Sequence, residues 1–263
     1  MRRLFLVLML LLPLSASAQF NGCSPGFCSV SSSSPGPPIG GVVGWWDSSV
    51  FSSLTLSGSA VTSWADLSGL GNSLAGTGNK PTYSATGLNS RPSVLFSRAS
   101  TQILCTPFSF PMGTGNTLTF WTVSFMATAT TTFGRAISYT GATNDFNDVR
   151  SWEVERNNGA NSLHMVRNLV DTGNMSVTLL TPFVMIGTVN SSGVMTLYIN
   201  GVASTTGTQS GNWGTNGSAC LGGGVHETEW WDGAVSEAGI STNFTNSTDV
   251  TTLYNSLKAK WGL

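Results

Sequence analysis

The sequence predicts an all-β fold: an antiparallel two-sheet jelly-roll sandwich with a short C-terminal helix. Three observations predict it. Short runs with period-two apolar alternation recur along the chain, and Gly, Asn, Ser and Pro punctuate nearly every gap between them. Asn200-Gly201 separates two such runs and is the signature of a two-residue hairpin, because both positions want positive φ. Helical periodicity is confined to the C-terminal end. There Val250, Leu253, Tyr254, Leu257 and Trp261 fall at i, i+3, i+4, i+7 and i+11, a single apolar stripe.

From the start of the chain, Arg2 and Arg3 precede an apolar run from Leu4 to Leu12, and Ala16-Ser17-Ala18 has the small-residue pattern of a signal-peptidase site. Residues 1–18 are therefore expected to be a signal peptide, since the apolar run falls short of the about 20 residues of a membrane span. A retained anchor is the alternative. Residues 19–41 read as a linker rich in Ser, Pro and Gly, with little to bury. The folded domain is expected over 42–263, and no later segment is apolar for long enough to cross a bilayer.

Within the domain the clearest strand is 118–127, with Trp121, Val123, Phe125 and Ala127 on one face and a mixed face opposite. Phe183–Val189, Val194–Ile199 and Val202–Thr206 form a meander around the Asn200-Gly201 turn. Shorter strands are expected at Val43–Trp46, Ala60–Trp64, Ser93–Phe96, Ile103–Cys105, Ala136–Tyr139, Trp152–Arg156, Leu163–Asn168, Ala219–Leu221 and Ala234–Ile240. Ser247 or Thr248 is the expected helix cap, with Asp249 at the positive end of the dipole and Lys258 and Lys260 at the other.

Charged residues make up 9% of the chain and the formal net charge is −1, which argues against a nucleic-acid phosphate or an anionic lipid surface as partner. Four cysteines fit an exported protein. Cys23 and Cys28 flank Ser-Pro-Gly-Phe, while Cys105 and Cys220 sit in strand-like sequence. The pairing favoured is 23–28 with 105–220, the alternative being free thiols.

Gly44-Trp45-Trp46-Asp47, then Val61-Thr62-Ser63-Trp64-Ala65-Asp66-Leu67-Ser68-Gly69-Leu70-Gly71-Asn72, resemble the opening of bacterial and phage laminin-G-like jelly rolls in the concanavalin A-like lectin/glucanase superfamily. Asn89-Ser90-Arg91-Pro92-Ser93-Val94-Leu95-Phe96 resembles a further strand of that group. Leu197-Tyr198-Ile199-Asn200-Gly201 resembles its hairpin, and the ending, from Val235-Ser236-Glu237-Ala238-Gly239-Ile240 to Leu257-Lys258-Ala259-Lys260-Trp261-Gly262-Leu263, its closing helix. The resemblance spans most of 44–263. It implies the fold strongly and the function weakly, because the superfamily holds lectins, glycosidases, adhesion domains and structural modules.

Glycoside hydrolysis needs two carboxylates. Glu153 and Glu155 share a strand face, but Arg156 stands where the acidic run of related glucanases continues. A solvent-facing strand with Trp152 and Val154 inside is the plain expectation. Glu227, Glu229 and Asp232 surround Trp230-Trp231 on an expected loop. His164 and His226, the two histidines, have no nucleophile placed beside them by any motif. Asp145, Asn147 and Asp148 offer oxygen ligands suited to Ca2+, in a loop that lacks the spacing of an EF-hand. Carbohydrate recognition wants aromatic faces with amides or carboxylates nearby. Asn212 and Trp213, with Glu229, Trp230 and Trp231, are the rim candidates. The expectation is a secreted, non-catalytic recognition module for a carbohydrate or cell-surface glycan. A glycoside hydrolase using Glu153 and Glu155 is the alternative, and a purely structural surface protein the third reading.

Overall fold

The computed structural model describes residues 36–76, 78–112, 115–128, 133–141, 150–156, 160–211, 213, 217–225 and 229–263. They carry nineteen strands and one α-helix. In chain order the strands are Val42–Asp47 (β1), Leu54–Ser57 (β2), Ala60–Trp64 (β3), Leu74–Gly76 (β4), Thr82–Leu88 (β5), Arg91–Phe96 (β6) and Leu104–Cys105 (β7). Next come Leu118–Met126 (β8), Gly134–Thr140 (β9), Trp152–Arg156 (β10), Ser162–Arg167 (β11), Val170–Asp171 (β12), Met175–Ser176 (β13) and Phe183–Val189 (β14). Val194–Ile199 (β15), Val202–Ala203 (β16), Gly207–Thr208 (β17), Ser218–Leu221 (β18) and Gly233–Ser241 (β19) complete the set, and Ser247–Trp261 is α1.

Every ladder is antiparallel, and the pairings form one continuous hydrogen-bonded sheet that divides into two layers. One layer runs β5-β6-β19-β8-β14-β15, with β1 on the far half of β19 and β16 and β17 on β15. The other runs β2-β3-β4-β7-β18-β9-β10-β11, ending on β12 and β13. A single register pair, Ala60 with Thr82, joins them at one edge. Side chains from both layers fill the space between. Phe120 of β8 stacks on Trp152 of β10 with ring centroids 4.3 Å apart, beside Met185, Leu197, Tyr139 and Leu163. Two glycines make room for aromatic rings, one on each face of β8. A Cβ on Gly187 would lie 2.0 Å from the Phe120 ring, and one on Gly239 2.0 Å from Trp121.

The face of β8 that looks mixed in sequence, with Leu118 and Phe120, is the one turned into the sandwich. Trp121 and Val123 point the other way, where they meet Val184, Ile186 and the helix residues Val250, Leu253, Leu257 and Trp261. Apolar residues on both faces of β8 therefore mark a strand at the centre of three layers. The helix caps itself one residue earlier than expected. Asn246 Oδ1 accepts from the backbone N–H of Thr248 at 2.9 Å and of Asp249 at 3.1 Å, because an Asx side chain reaches both N2 and N3. Gly262, at φ +68°, ends it. Asn200 and Gly201 have φ of +51° and +80°, and Ile199 pairs with Val202 across them, as a two-residue hairpin requires.

The Trp-Asp motifs hold β1 in place. Asp66 Oδ1 accepts from Trp45 N and Ser68 N, Oδ2 from Ser68 Oγ and Asn72 N, and Asn72 Nδ2 returns to the Val43 carbonyl at 2.7 Å. Below them lies a charged clamp. Lys260 Nζ donates to Asp47 Oδ2 at 2.6 Å and to Glu237 Oε2 at 2.7 Å, while Trp45 and Trp261 give their indole N–H groups to Glu237, both at 2.8 Å. Burial pushes Glu237 above the usual carboxylate range; Lys260 opposes that and Asp47 adds to it.

Candidate functional site

Register fixes a row of side chains on the outer face of the second layer. Ser63 pairs with Ala75, Ala75 with Cys105, Cys105 with Cys220, Cys220 with Ser138, and Ser138 with Glu153. All six project away from the core, because the alternate residues Trp64, Leu74, Leu104, Leu221, Ile137 and Val154 point inward. The first half of this row is the floor of a groove of about 930 Å³. Trp230, Phe108, Val225 and Asn79 are among its walls, and Ser218 extends the floor. Phe108 and Val225 are exposed, and Trp230 is half-buried. Cys105 and Cys220 are joined by a disulfide beneath the groove.

The second half of the row is covered. Ser138 Oγ donates to the Gly223 carbonyl at 2.8 Å, and the chain returns over the sheet so that Trp230 makes a parallel bridge with Arg135. Underneath, Arg135 Nε lies 2.8 Å from Glu153 Oε2 and Nη2 lies 2.9 Å from Glu229 Oε2. Glu153 and Glu155 are 1% and 2% exposed. Trp152 and Val154 do pack inside, but the expectation that the two acids face solvent is corrected. The covering segment and the cations Arg135 and His164 make their burial tolerable. From Cys105 to Glu153 is three strands, roughly 14 Å along the sheet.

His164 sits across from Glu155 in the β10–β11 register. Its Nε2 is 3.1 Å from Glu155 Oε1 and its Nδ1 3.1 Å from Asn174 Oδ1. Both ring nitrogens thus face acceptors, the arrangement an imidazolium fills. Burial alone would depress the imidazole, but the hydrogen bond and charge of Glu155, with Asp171 and Asn174, outweigh it and raise the pKa. A raised folded-state pKa gives stability that is whole below the ordinary value of about 6.5 and is lost as pH climbs through the folded one. Urea denaturation of the wild type should therefore show stability falling across that window, and His164→Gln should flatten the slope. Parallel pH profiles for the two proteins would refute this assignment.

The other aromatic candidates divide. Trp213 is fully buried. Its indole N–H donates to the Thr117 carbonyl at 3.2 Å, and the Arg167 guanidinium lies 3.7 Å from its ring centroid, so no face is left for a sugar. Trp231 belongs to the core between the layers. Trp230 alone of the three lines the groove. Asp232 is tied to Arg98 N and Thr128 Oγ1. Asn212, His226, Glu227, the Asp145, Asn147 and Asp148 cluster, Cys23 and Cys28 lie outside the described residues. Among the described residues, no group of three or more His, Cys, Asp or Glu is placed to hold a metal ion. None of their helices is long and apolar enough to cross a membrane.

No family model matches the chain, and no curated protein matches it. Solved structures do. Domain 4 of a GH43 extracellular arabinanase from Geobacillus stearothermophilus, in complex with arabinotriose, is 15% identical at a TM-score of 0.58, the match covering 81% of this chain and 98% of that one. Trypanosoma rangeli sialidase is 11% identical at 0.60, over 84% of this chain and 34% of the sialidase. An arabinofuranosidase complexed with arabinofuranosyl-α-1,2-xylobiose is 13% identical at 0.58, over 76% and 51%. The chain thus spans about a third of the sialidase and half of the arabinofuranosidase. At such identities the likeness establishes the fold. The expectation of a non-enzyme is corrected at this point, since the solved structures the chain resembles are those of glycoside hydrolases.

Proposed function

We propose that the chain is a carbohydrate-active domain that holds an oligosaccharide in the groove beside Trp230. The observation that carries this reading is the groove itself. An indole and a phenyl ring stand over a floor of small hydroxyl-bearing side chains, the combination that packs against sugar C–H faces and meets their hydroxyls. The carbohydrate complexes among the similar structures support it. So do the motifs shared with the concanavalin A-like superfamily, to whose laminin-G-like branch we assign the fold. Export of the mature chain, with residues 1–18 as signal peptide and the Cys105–Cys220 disulfide persisting outside the cell, belongs to the same reading.

A hydrolytic role goes to Glu153 and Glu155, for one specific reason. They share the sheet face that floors the groove and stand against different partners, Arg135 and His164, which sets the two carboxyl groups in unlike environments. Gly223, which accepts from Ser138, and Trp230, which bridges to Arg135, lie between them and the groove, so cleavage requires that cover to move.

Calorimetric titration of the purified protein with arabino- and xylo-oligosaccharides, followed by a reducing-sugar assay, tests both parts. Trp230→Ala should weaken binding about tenfold, the value of a lost aromatic contact. Glu153→Gln should leave binding in place and abolish sugar release. Binding indifferent to Trp230→Ala would remove the groove from the proposal. Binding without release in the wild type would remove the two glutamates.

A further inference from the structure

We infer that the groove selects uncharged glycans and turns away sugars bearing carboxylates, such as uronates and sialosides. The inference rests on the glycan reading above and concerns which class of sugar that site takes.

Two features of the lining carry it. None of the described lining residues is ionisable: they are Ser, Thr, Gly, Ala, Asn, Pro, aliphatic and aromatic residues and the disulfide-bonded Cys105. Beside them, Lys80 turns its ammonium back onto the Gly76 carbonyl and, at 2.9 Å, the Gly78 carbonyl, so two of its three protons go to the loop that borders the groove and it is not itself among the lining residues.

The second feature is the direction of the floor hydroxyls. Ser63 Oγ donates its proton to the Leu74 carbonyl at 3.0 Å, and Ser218 Oγ donates to the Thr106 carbonyl at 2.6 Å. A hydroxyl has one proton to give, so these two oxygens can offer a ligand only lone pairs. Thr106 Oγ1 accepts from Ala219 N at 2.9 Å and Ser73 Oγ from Asp66 N at 3.2 Å, so these two keep their protons for a ligand. A floor of neutral hydroxyls, some accepting and some donating, suits sugar O–H groups, which do both. It offers a carboxylate no formal charge to offset its desolvation.

The test is a set of matched titrations of the whole chain at low and high salt. Neutral galacto- and xylo-oligosaccharides are set against oligogalacturonate and glucuronate-substituted xylo-oligosaccharide of equal length, and lactose against 3′-sialyllactose. The neutral member of each pair should bind at least about tenfold tighter, with no dependence on salt. Ala75→Lys, on the exposed groove floor, should narrow or reverse that preference and make binding of the acidic sugars salt-sensitive. Acidic sugars binding as tightly as neutral ones, or Ala75→Lys leaving the preference untouched, would overturn the inference while the glycan reading stands. No binding by any sugar would remove both together.

Discussion

Lys260→Met is expected to lower the unfolding free energy by about 3–5 kcal/mol, the usual cost of breaking a buried ion pair from one side. The side chains of Asp47 and Glu237 are 0% and 2% exposed, and both lean on the ammonium of Lys260, whose side chain is 22% exposed. Without it, two carboxylates face each other in a dry site, with only neutral donors around them: the indoles of Trp45 and Trp261 on Glu237, and the backbone N–H and hydroxyl of Ser49 on Asp47. The deficit should also depend on pH. Burial already raises Glu237, and a carboxyl whose folded-state pKa is raised loses stability as pH climbs from its ordinary value through the folded one. Removing Lys260 lifts that pKa further, so the variant should lose more at neutral pH than in acid. Urea denaturation at two pH values measures both effects. A loss below about 1 kcal/mol, or one identical at both pH values, would show the clamp to be of little consequence.

Replacing both Cys105 and Cys220 by alanine is expected to cost about 4–5 kcal/mol, since the bridge closes a loop of 115 residues. For a domain of this size that is a fall of roughly 10 °C or more in the melting midpoint. The location adds a second effect. β7 is two residues long and borders β4 and β18 across the groove floor. Loosening it should weaken oligosaccharide binding more than Trp230→Ala does. Differential scanning calorimetry and titration of the double variant give the two readouts. A midpoint within about 2 °C of wild type would mean that the ladder alone holds these strands.

Much of the sandwich was legible because burial imposes a period. Ala60–Trp64, Trp152–Arg156, Phe183–Val189 and Val194–Ile199 begin and end where their alternating or continuous apolar runs do. β5, Thr82–Leu88, was missed. It lies at the edge that joins the layers, most of its residues are at least partly exposed, and TYSATGL has no stripe to read. The short β2 and β4 escaped for a similar reason. The candidate site was less legible. Glu153 and Glu155 were placed on one face from spacing alone, but what covers them, Gly223, Glu229 and Trp230, comes from far along the chain. The groove floor is made of Ser63, Ala75, Cys105 and Ser218, small residues with no aromatic or charged side chain to mark them as a binding surface in sequence. Trp213 shows the converse: amide- and hydroxyl-rich neighbours suggested a rim, and Arg167 closes over it.

The order in which the pieces are synthesised matters for the outer apolar face of β8 and β14. Trp121, Val123, Val184 and Ile186 are made long before Ser247–Trp261, the helix that shields them, and β8 cannot gain its β19 neighbour until residue 241 has left the ribosome. A nascent chain therefore carries an oily, half-paired strand through the second half of its synthesis. Any pause or truncation ahead of the helix would leave that surface for a chaperone, or for another unfinished chain, to cover.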